Sequence, residues 1–218
     1  MPIVKISLGG RRRPNALALA PTGADLRASL DNGLPLRDSA VDEVFAEDAL
    51  EHVRDFVGAL EEIWRVSKPG ALIHLHLPHA SSPWATSRDP RHQRQFTIET
   101  FEYFSPSRQR DACPTRATFE IEHCRLHLTA RGGPDRGRGL AQGTVARLLE
   151  AVANRNRGMQ YRWERWLGHL IGFDEMSVVL SVVKAREPTV PAAAHAARAE
   201  AGARRRRRRR AETADRMP

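Results

Sequence analysis

Nowhere in the 218 residues does an apolar run reach the length of about eighteen that a membrane-spanning helix needs. Cysteine is almost absent: Cys113 and Cys124 are the only two. Their spacing is not that of a metal knuckle, and two thiols do not make a disulfide framework. The opening MPIVKISLGG lacks the charged, apolar and small-residue order of a signal peptide. Lysine is scarce as well, with 3 against 32 arginines. The expectation is a soluble, cytoplasmic protein with reduced thiols. What remains is ordinary for a globular chain: 41% hydrophobic and 28% charged residues, enough for one domain with a core.

The formal charge of +9 is unevenly placed. Residues 184–218 hold 11 Lys and Arg against 4 Asp and Glu, a balance of +7; the other 183 hold 24 against 22, or +2. The basicity belongs to the tail. The seven consecutive arginines from Arg204 to Arg210 repel one another, and no apolar residue among them can build a core. A disordered tail over 185–218 is expected, following a folded domain over 1–184. Such a block would attract polyanions in a salt-dependent, sequence-independent way. No aromatic or bidentate base reader stands beside it, so specific nucleic-acid binding is not expected.

Residues 34–78 organise the body. The run 41–46 (VDEVFA), opened by turn residues, reads as a strand. Phe56, Leu60, Ile63 and Trp64 fall at helical spacing behind Asp55, a fitting N-cap. Lys68-Pro69-Gly70 closes that helix, and 71–77 is a second strand. Strand, helix and strand at these lengths make a right-handed βαβ unit of a parallel sheet. Its site should lie beyond the carboxyl ends of the strands, at Ala46-Glu47-Asp48 and Pro78-His79-Ala80.

Before this unit, residues 2–8 alternate as a first strand and run into Gly9-Gly10, where a Rossmann-like fold turns its backbone toward a cofactor; a plain turn is the alternative. Residues 15–19 suit a second strand. After the unit, 79–104 opens as a loop and becomes helical behind Thr97, with Phe96, Thr100, Phe101 and Phe104 at near-helical spacing. Residues 117–129 alternate, placing Phe119, Ile121, His123, Arg125 and His127 on one face. Residues 132–139 read as a flexible basic hairpin or loop. Residues 140–165 are helical in pattern, with Val145, Leu148, Leu149, Val152 and Ala153 as the buried stripe. Residues 176–184 are a continuous apolar strand, buried on both faces or paired at an edge.

The spaced blocks LPL, VDEV, DALEHV and IWRVSKPGAL resemble the central region of class I S-adenosylmethionine-dependent methyltransferases, in particular the small type 11-like branch. The resemblance covers roughly residues 3–104. It implies an α/β, Rossmann-like, mostly parallel doubly wound sheet with an antiparallel last strand. It also implies S-adenosyl-L-methionine as cofactor, held by Leu8, Gly9, Gly10, Ser29, Leu30, Ala46, Glu47 and Asp48. The sequence departs from the family at the cofactor edge, where Ala20 and Ser29 stand at positions expected to carry carboxylates. A carboxylate accepts both ribose hydroxyls, and losing it costs about 1.5–3 kcal/mol, or about ten- to a hundredfold in affinity. Asp25 and Asp31 lie close enough in sequence to take its place. The segment holding Asp89, Pro90, His92, Arg94 and Phe96 resembles the family's element that closes over the pocket.

Methyl transfer from a sulfonium asks chiefly for in-line positioning of the acceptor and, for some acceptors, a base. His79 or His92 is expected as that base, with Asp89 orienting one of them; a loop-capping role is the alternative for each. Glu47 and Asp48 would hold the cofactor's amino-acid end or the acceptor, or cap a turn. Glu51 and His52 are expected to be structural. His74, His76 and His79 spell H-x-H-x-x-H, a pattern that could share a metal, but buried, hydrogen-bonded imidazoles are the favoured state for His74 and His76. The reading is methyl transfer to a small acceptor. The alternatives are a catalytically degenerate binding or scaffolding module and, more remotely, a metal-dependent hydrolase.

Overall fold

Seven strands lie in the order β3-β2-β1-β4-β5-β7-β6. They are β1 (Lys5–Leu8), β2 (Leu17–Ala20), β3 (Leu26–Arg27), β4 (Val41–Glu47), β5 (Ser67–Pro78), β6 (Phe119–His127) and β7 (Glu175–Val182). β3, β2, β1, β4 and β5 pair in parallel; β7 runs antiparallel between β5 and β6. The chain winds outward from β1 toward β3, then returns to β4 and winds the other way. The reversal places a topological switch point between β1 and β4, where open α/β sheets bind ligands. The computed structural model describes residues 3–9, 13–20, 23–82, 89–107, 115–128, 140–168 and 172–184. Met1–Val183 forms one compact unit. The tail expected to be disordered and the loop at 132–139 lie outside the described residues.

The βαβ unit follows its sequence closely. Helix α1 (Phe56–Val66) starts where the Asp55 carboxylate accepts from the Gly58 amide at 2.9 Å. It buries Phe56, Ala59, Leu60, Ile63 and Val66, a stripe at i, i+3, i+4, i+7 and i+10. The Ser67 hydroxyl donates to the Ile63 carbonyl at 2.7 Å and closes the last turn. One correction concerns Lys68-Pro69-Gly70. These residues do not separate helix from strand; they already lie within β5, bulged between the pairs Val41↔Ser67 and Glu43↔Leu72. Gly70 absorbs the bulge at φ +75, which an L side chain rarely adopts. Lys68 is held on this bulge by Asp42, Nζ to each carboxylate oxygen at 2.7 Å.

Two further expectations fail for identifiable reasons. β6 carries a bulge between Ile121 and His123, which swaps its faces. Phe119 and Leu126 are therefore the buried positions, and His123 and Arg125 face solvent instead of sharing the side of Phe119. Helix α3 (Leu140–Ala153) leaves Val145, Leu148 and Val152 exposed by 56%, 63% and 48%. Leu149 and Ala153 of the expected stripe do face inward, joined by Glu150, because Asn154 pins the helix end to β6: its side chain accepts from the Leu126 amide and donates to the Leu126 carbonyl, each at 2.8 Å. The chain then turns into α4 (Arg157–Arg162), capped by Asn156, and a π-helical turn, Trp163–Leu167. β7 alternates strictly, with Met176, Val178, Leu180 and Val182 buried on one face.

A phenylalanine cluster binds the segment after β5 to this frame. Helix α2 (Ile98–Glu102) has the Thr97–Thr100 capping box and inserts Phe101. Phe56 meets Phe96, Phe101 and Phe104 at ring-centroid distances of 5.4, 6.2 and 6.0 Å. Among the described residues no helix is long and apolar enough to cross a membrane.

Candidate functional site

The carboxyl edges of β1 and β4 meet closely. Gly9, directly after β1, has φ +89, and a Cβ built on it would lie 2.5 Å from the Glu47 carbonyl oxygen and 2.9 Å from the Ala49 Cβ. Only a residue without a side chain lets these two strand ends approach so far. β4 ends through Ala46 and Glu47 into Asp48, a non-glycine residue at φ +49 whose amide donates to the His76 carbonyl at 3.3 Å. The Glu47 carboxylate forms an ion pair with Arg13, whose guanidinium also lies 5.2 Å from the Phe45 ring centroid. Next along the edge, β2 ends at Ala20, buried, its carbonyl accepting from the Ala28 amide at 3.1 Å. Ser29 follows and opens a short 3-10 turn, Leu30–Asn32.

At the end of β5, His79 is 1% exposed and bonded through both ring nitrogens. Its Nδ1 accepts from the Ser81 amide at 3.1 Å, so the proton sits on Nε2 and is donated to Glu164 Oε1 at 2.7 Å. The same Glu164 oxygen accepts from the Ile98 amide, and the Ser81 hydroxyl accepts from the Phe173 amide. His79 therefore ties the β5 end to α2, the π-helical turn and the lead into β7.

The segment 89–96 crosses above a 3-10 turn, Leu50–His52, that directly follows β4. Gln93 donates its amide to the Glu51 carbonyl at 2.7 Å, and Arg94 donates to the Val53 and Arg54 carbonyls at 3.1 and 2.8 Å. These bonds set the His92 ring edge-on against His52, centroids 4.9 Å apart and planes 62° apart. Glu51 completes the group: one ligand atom from each of Glu51, His52 and His92 lies within 4.8 Å of the others. Burial pushes the Glu51 carboxyl up to about 7, and the charge of Asp48 adds to the effect.

Residues 12–75 match the methyltransferase domain family of type 11. That match spans 64 of the 218 residues. No curated protein matches it. Among solved structures it is similar to a protein solved with the Haloferax volcanii Trm112 methyltransferase activator, at 17% identity over 84% of this chain and 86% of that one, TM-score 0.48. It is also similar to the YcgJ protein of Bacillus subtilis, at 13% identity over 84% and 93%, TM-score 0.49. A third is an S-adenosylmethionine-dependent methyltransferase of Archaeoglobus fulgidus, at 14% identity over 82% and 86%, TM-score 0.46.

In the sheet, Leu8, Gly9, Ala46, Glu47 and Asp48 stand together across the β1–β4 switch point, and Ser29 and Leu30 follow β3 on the same edge. Gly10 lies outside the described residues. Asp25 does not stand there. It precedes β3, and its carboxylate accepts from the Ala18 amide at 3.0 Å, so it is spent on the strand pair and set back from the edge. Asp31 is likewise engaged, accepting from the Arg54 amide at 2.9 Å. The expected pairing of Asp89 with a histidine ring is also corrected: its carboxylate takes Arg91 through the backbone amide, Nε and Nη2, while its carbonyl accepts from the His92 amide at 3.1 Å. His79, buried and doubly bonded, is a structural link and not an accessible base.

The histidine run on β5 does not converge. His74 bonds Glu43 at 2.9 Å and stacks on Phe45, whereas His76 bonds Ser177 and Glu175 at 3.0 and 2.8 Å. Two features escaped the sequence. In the sequence nothing links Arg13 to Glu47. Glu51 and His52 read as structural groups, with no signal that the segment 89–96 brings His92 to them.

Proposed function

We propose that the chain is an S-adenosylmethionine-dependent methyltransferase acting on a small acceptor. The observation that carries this reading is Gly9, held at positive φ against the β4 end at the switch point of a methyltransferase-type sheet. The residues there fit the cofactor in part. Gly9 leaves the chain bare of a side chain against Glu47–Ala49, and the Ser29 hydroxyl follows β3, but Ala20 brings no carboxylate to the ribose position. When bound, S-adenosylmethionine would supply an electrophilic methyl on a sulfonium.

The chain's own part is positioning and proton removal. His92, half-buried beside the β4 end, is the ring best placed to accept a proton from an acceptor hydroxyl or amine. Asp48, at positive φ on the rim, would orient the acceptor or the cofactor's ammonium. A second reading, a degenerate binding module, is favoured by Ala20 together with the Arg13–Glu47 ion pair, which occupies a carboxylate the cofactor would otherwise meet.

Calorimetric titration with S-adenosylmethionine and its demethylated product separates the two. Binding with Kd in the micromolar range is expected; no heat at millimolar ligand would favour the module and refute the enzyme reading. With an acceptor in hand, unchanged turnover in His92→Asn would remove that ring from the mechanism.

A further inference from the structure

We propose that Glu51, His52 and His92 form a binding site for a divalent transition metal of the zinc class, on the rim of the crevice at the end of β4. Three protein donors lie within 4.8 Å of one another: one carboxylate and two imidazoles. That nitrogen and oxygen set suits zinc and its neighbours; magnesium and calcium would call for oxygen alone. A tetrahedral ion at about 2.0–2.1 Å from each donor separates them by about 3.4 Å. Side-chain rotation closing the group by about 1.4 Å would suffice.

A second observation points to a ligand. Glu51 is 1% exposed, and its Oε2 is buried with no hydrogen-bond partner. The Nδ1 of His52 is buried and unpartnered too. Two orphaned donor atoms in one small group are rare in folded proteins, and an ion is what these two chemistries share. The group is also built. Glu51 and His52 sit on the turn fixed by the end of β4, and the Gln93 and Arg94 bonds hold the His92 segment over it, with the Arg94 guanidinium 5.2 Å from the Phe56 ring centroid.

Three protein ligands leave a fourth position open, as in catalytic more than structural zinc sites. An acceptor oxygen or a water there would have its pKa lowered by the ion. A metal-bound His92 no longer takes a proton itself, so the ion would replace that role, and the two uses of the ring exclude each other. The inference does not rest on methyl transfer, because metal binding is read without cofactor or acceptor.

The test is zinc titration of the untagged, chelator-stripped full-length chain by calorimetry, with cobalt absorption as a report on geometry. One equivalent bound with Kd of about 1 μM or below is expected, with tetrahedral-type cobalt bands. His92→Ala and Glu51→Gln should each weaken it by about a hundredfold, and His74→Ala should leave it unchanged. His92 lies on the overlying segment, so that variant should retain the wild-type circular dichroism even if a change at the more buried Glu51 does not. Absence of binding at 100-fold higher zinc, or a site that survives His92→Ala, overturns the proposal.

Discussion

Replacing Gly9 by alanine tests the closeness of β1 and β4 directly. The new Cβ would meet the Glu47 carbonyl oxygen at 2.5 Å and the Ala49 Cβ at 2.9 Å, where real contacts begin at about 3.0 Å or more. One partner is backbone, so a strand end must move by at least about half an ångström, and such overpacking costs about 1–3 kcal/mol. Holding a non-glycine residue at φ +89 adds about 1–2 kcal/mol. The sum of about 2–5 kcal/mol is a large share of the 5–15 kcal/mol typical of a domain and corresponds to a Tm lowered by about 10 °C. Gly23 supplies the control. It has φ +72 but nothing within 4 Å of an added Cβ, so Gly23→Ala should show the conformational part alone, about 1–2 kcal/mol. Urea unfolding of both variants beside the parent measures each term. A Gly9→Ala loss no larger than that of Gly23→Ala would refute the claim that the two strand ends are pressed together.

Removing the α1 cap by Asp55→Ala should cost about 0.5–2 kcal/mol in the same unfolding assay, since the Gly58 amide loses its acceptor. Glu62 accepts from the Leu34 amide and from Arg65 Nε and Nη2 at 2.6–2.8 Å, so Glu62→Gln should cost about 1.5–3 kcal/mol at neutral pH. Arg65 holds the Glu62 carboxyl below its usual value of 4.5; the folded state thus binds this proton less readily than the unfolded chain. Its contribution is complete above that value and fades as pH falls through the lowered one, so the gap between Glu62→Gln and parent should narrow on acidification; a gap constant with pH would disprove the assignment.

The parts of the fold that could be read from the sequence are those set by local chemistry. Asp55 as N-cap, the helical spacing of Phe56, Leu60 and Ile63, and Thr97 as N-cap each act within about two helical turns, and the structure has all three. The misread elements depend on partners far along the chain. The alternation at 117–129 could not reveal the bulge at Glu122, because it arises from pairing with β7 more than fifty residues later. The apolar pattern of α3 suggests Val145, Leu148, Leu149, Val152 and Ala153 as its inner face, but Asn154 and Glu150, bonded to Leu126 and His127, fix a rotation that turns only Leu149 and Ala153 of these inward. Hydrophobic periodicity shows which residues could be buried; polar anchors at the helix end decided which were.

The same distinction explains why the site was less legible than its frame. The edge itself follows from strand order, and Gly9, Glu47 and Asp48 fall on it because they end β1 and β4. What each carboxylate or imidazole does there depends on its partner, and the partners come from elsewhere: Arg13 to Glu47, and Glu164 to His79 across 85 residues. A histidine at a strand end looks alike in sequence whether it faces a substrate or a buried glutamate. Its burial and its second ring nitrogen tell the cases apart: His79 has both nitrogens bonded, whereas His52 keeps a buried one unpartnered beside Glu51 Oε2. Unmet bonding capacity, more than residue type, therefore directs attention to the turn after β4, where a ligand would satisfy what the chain leaves open.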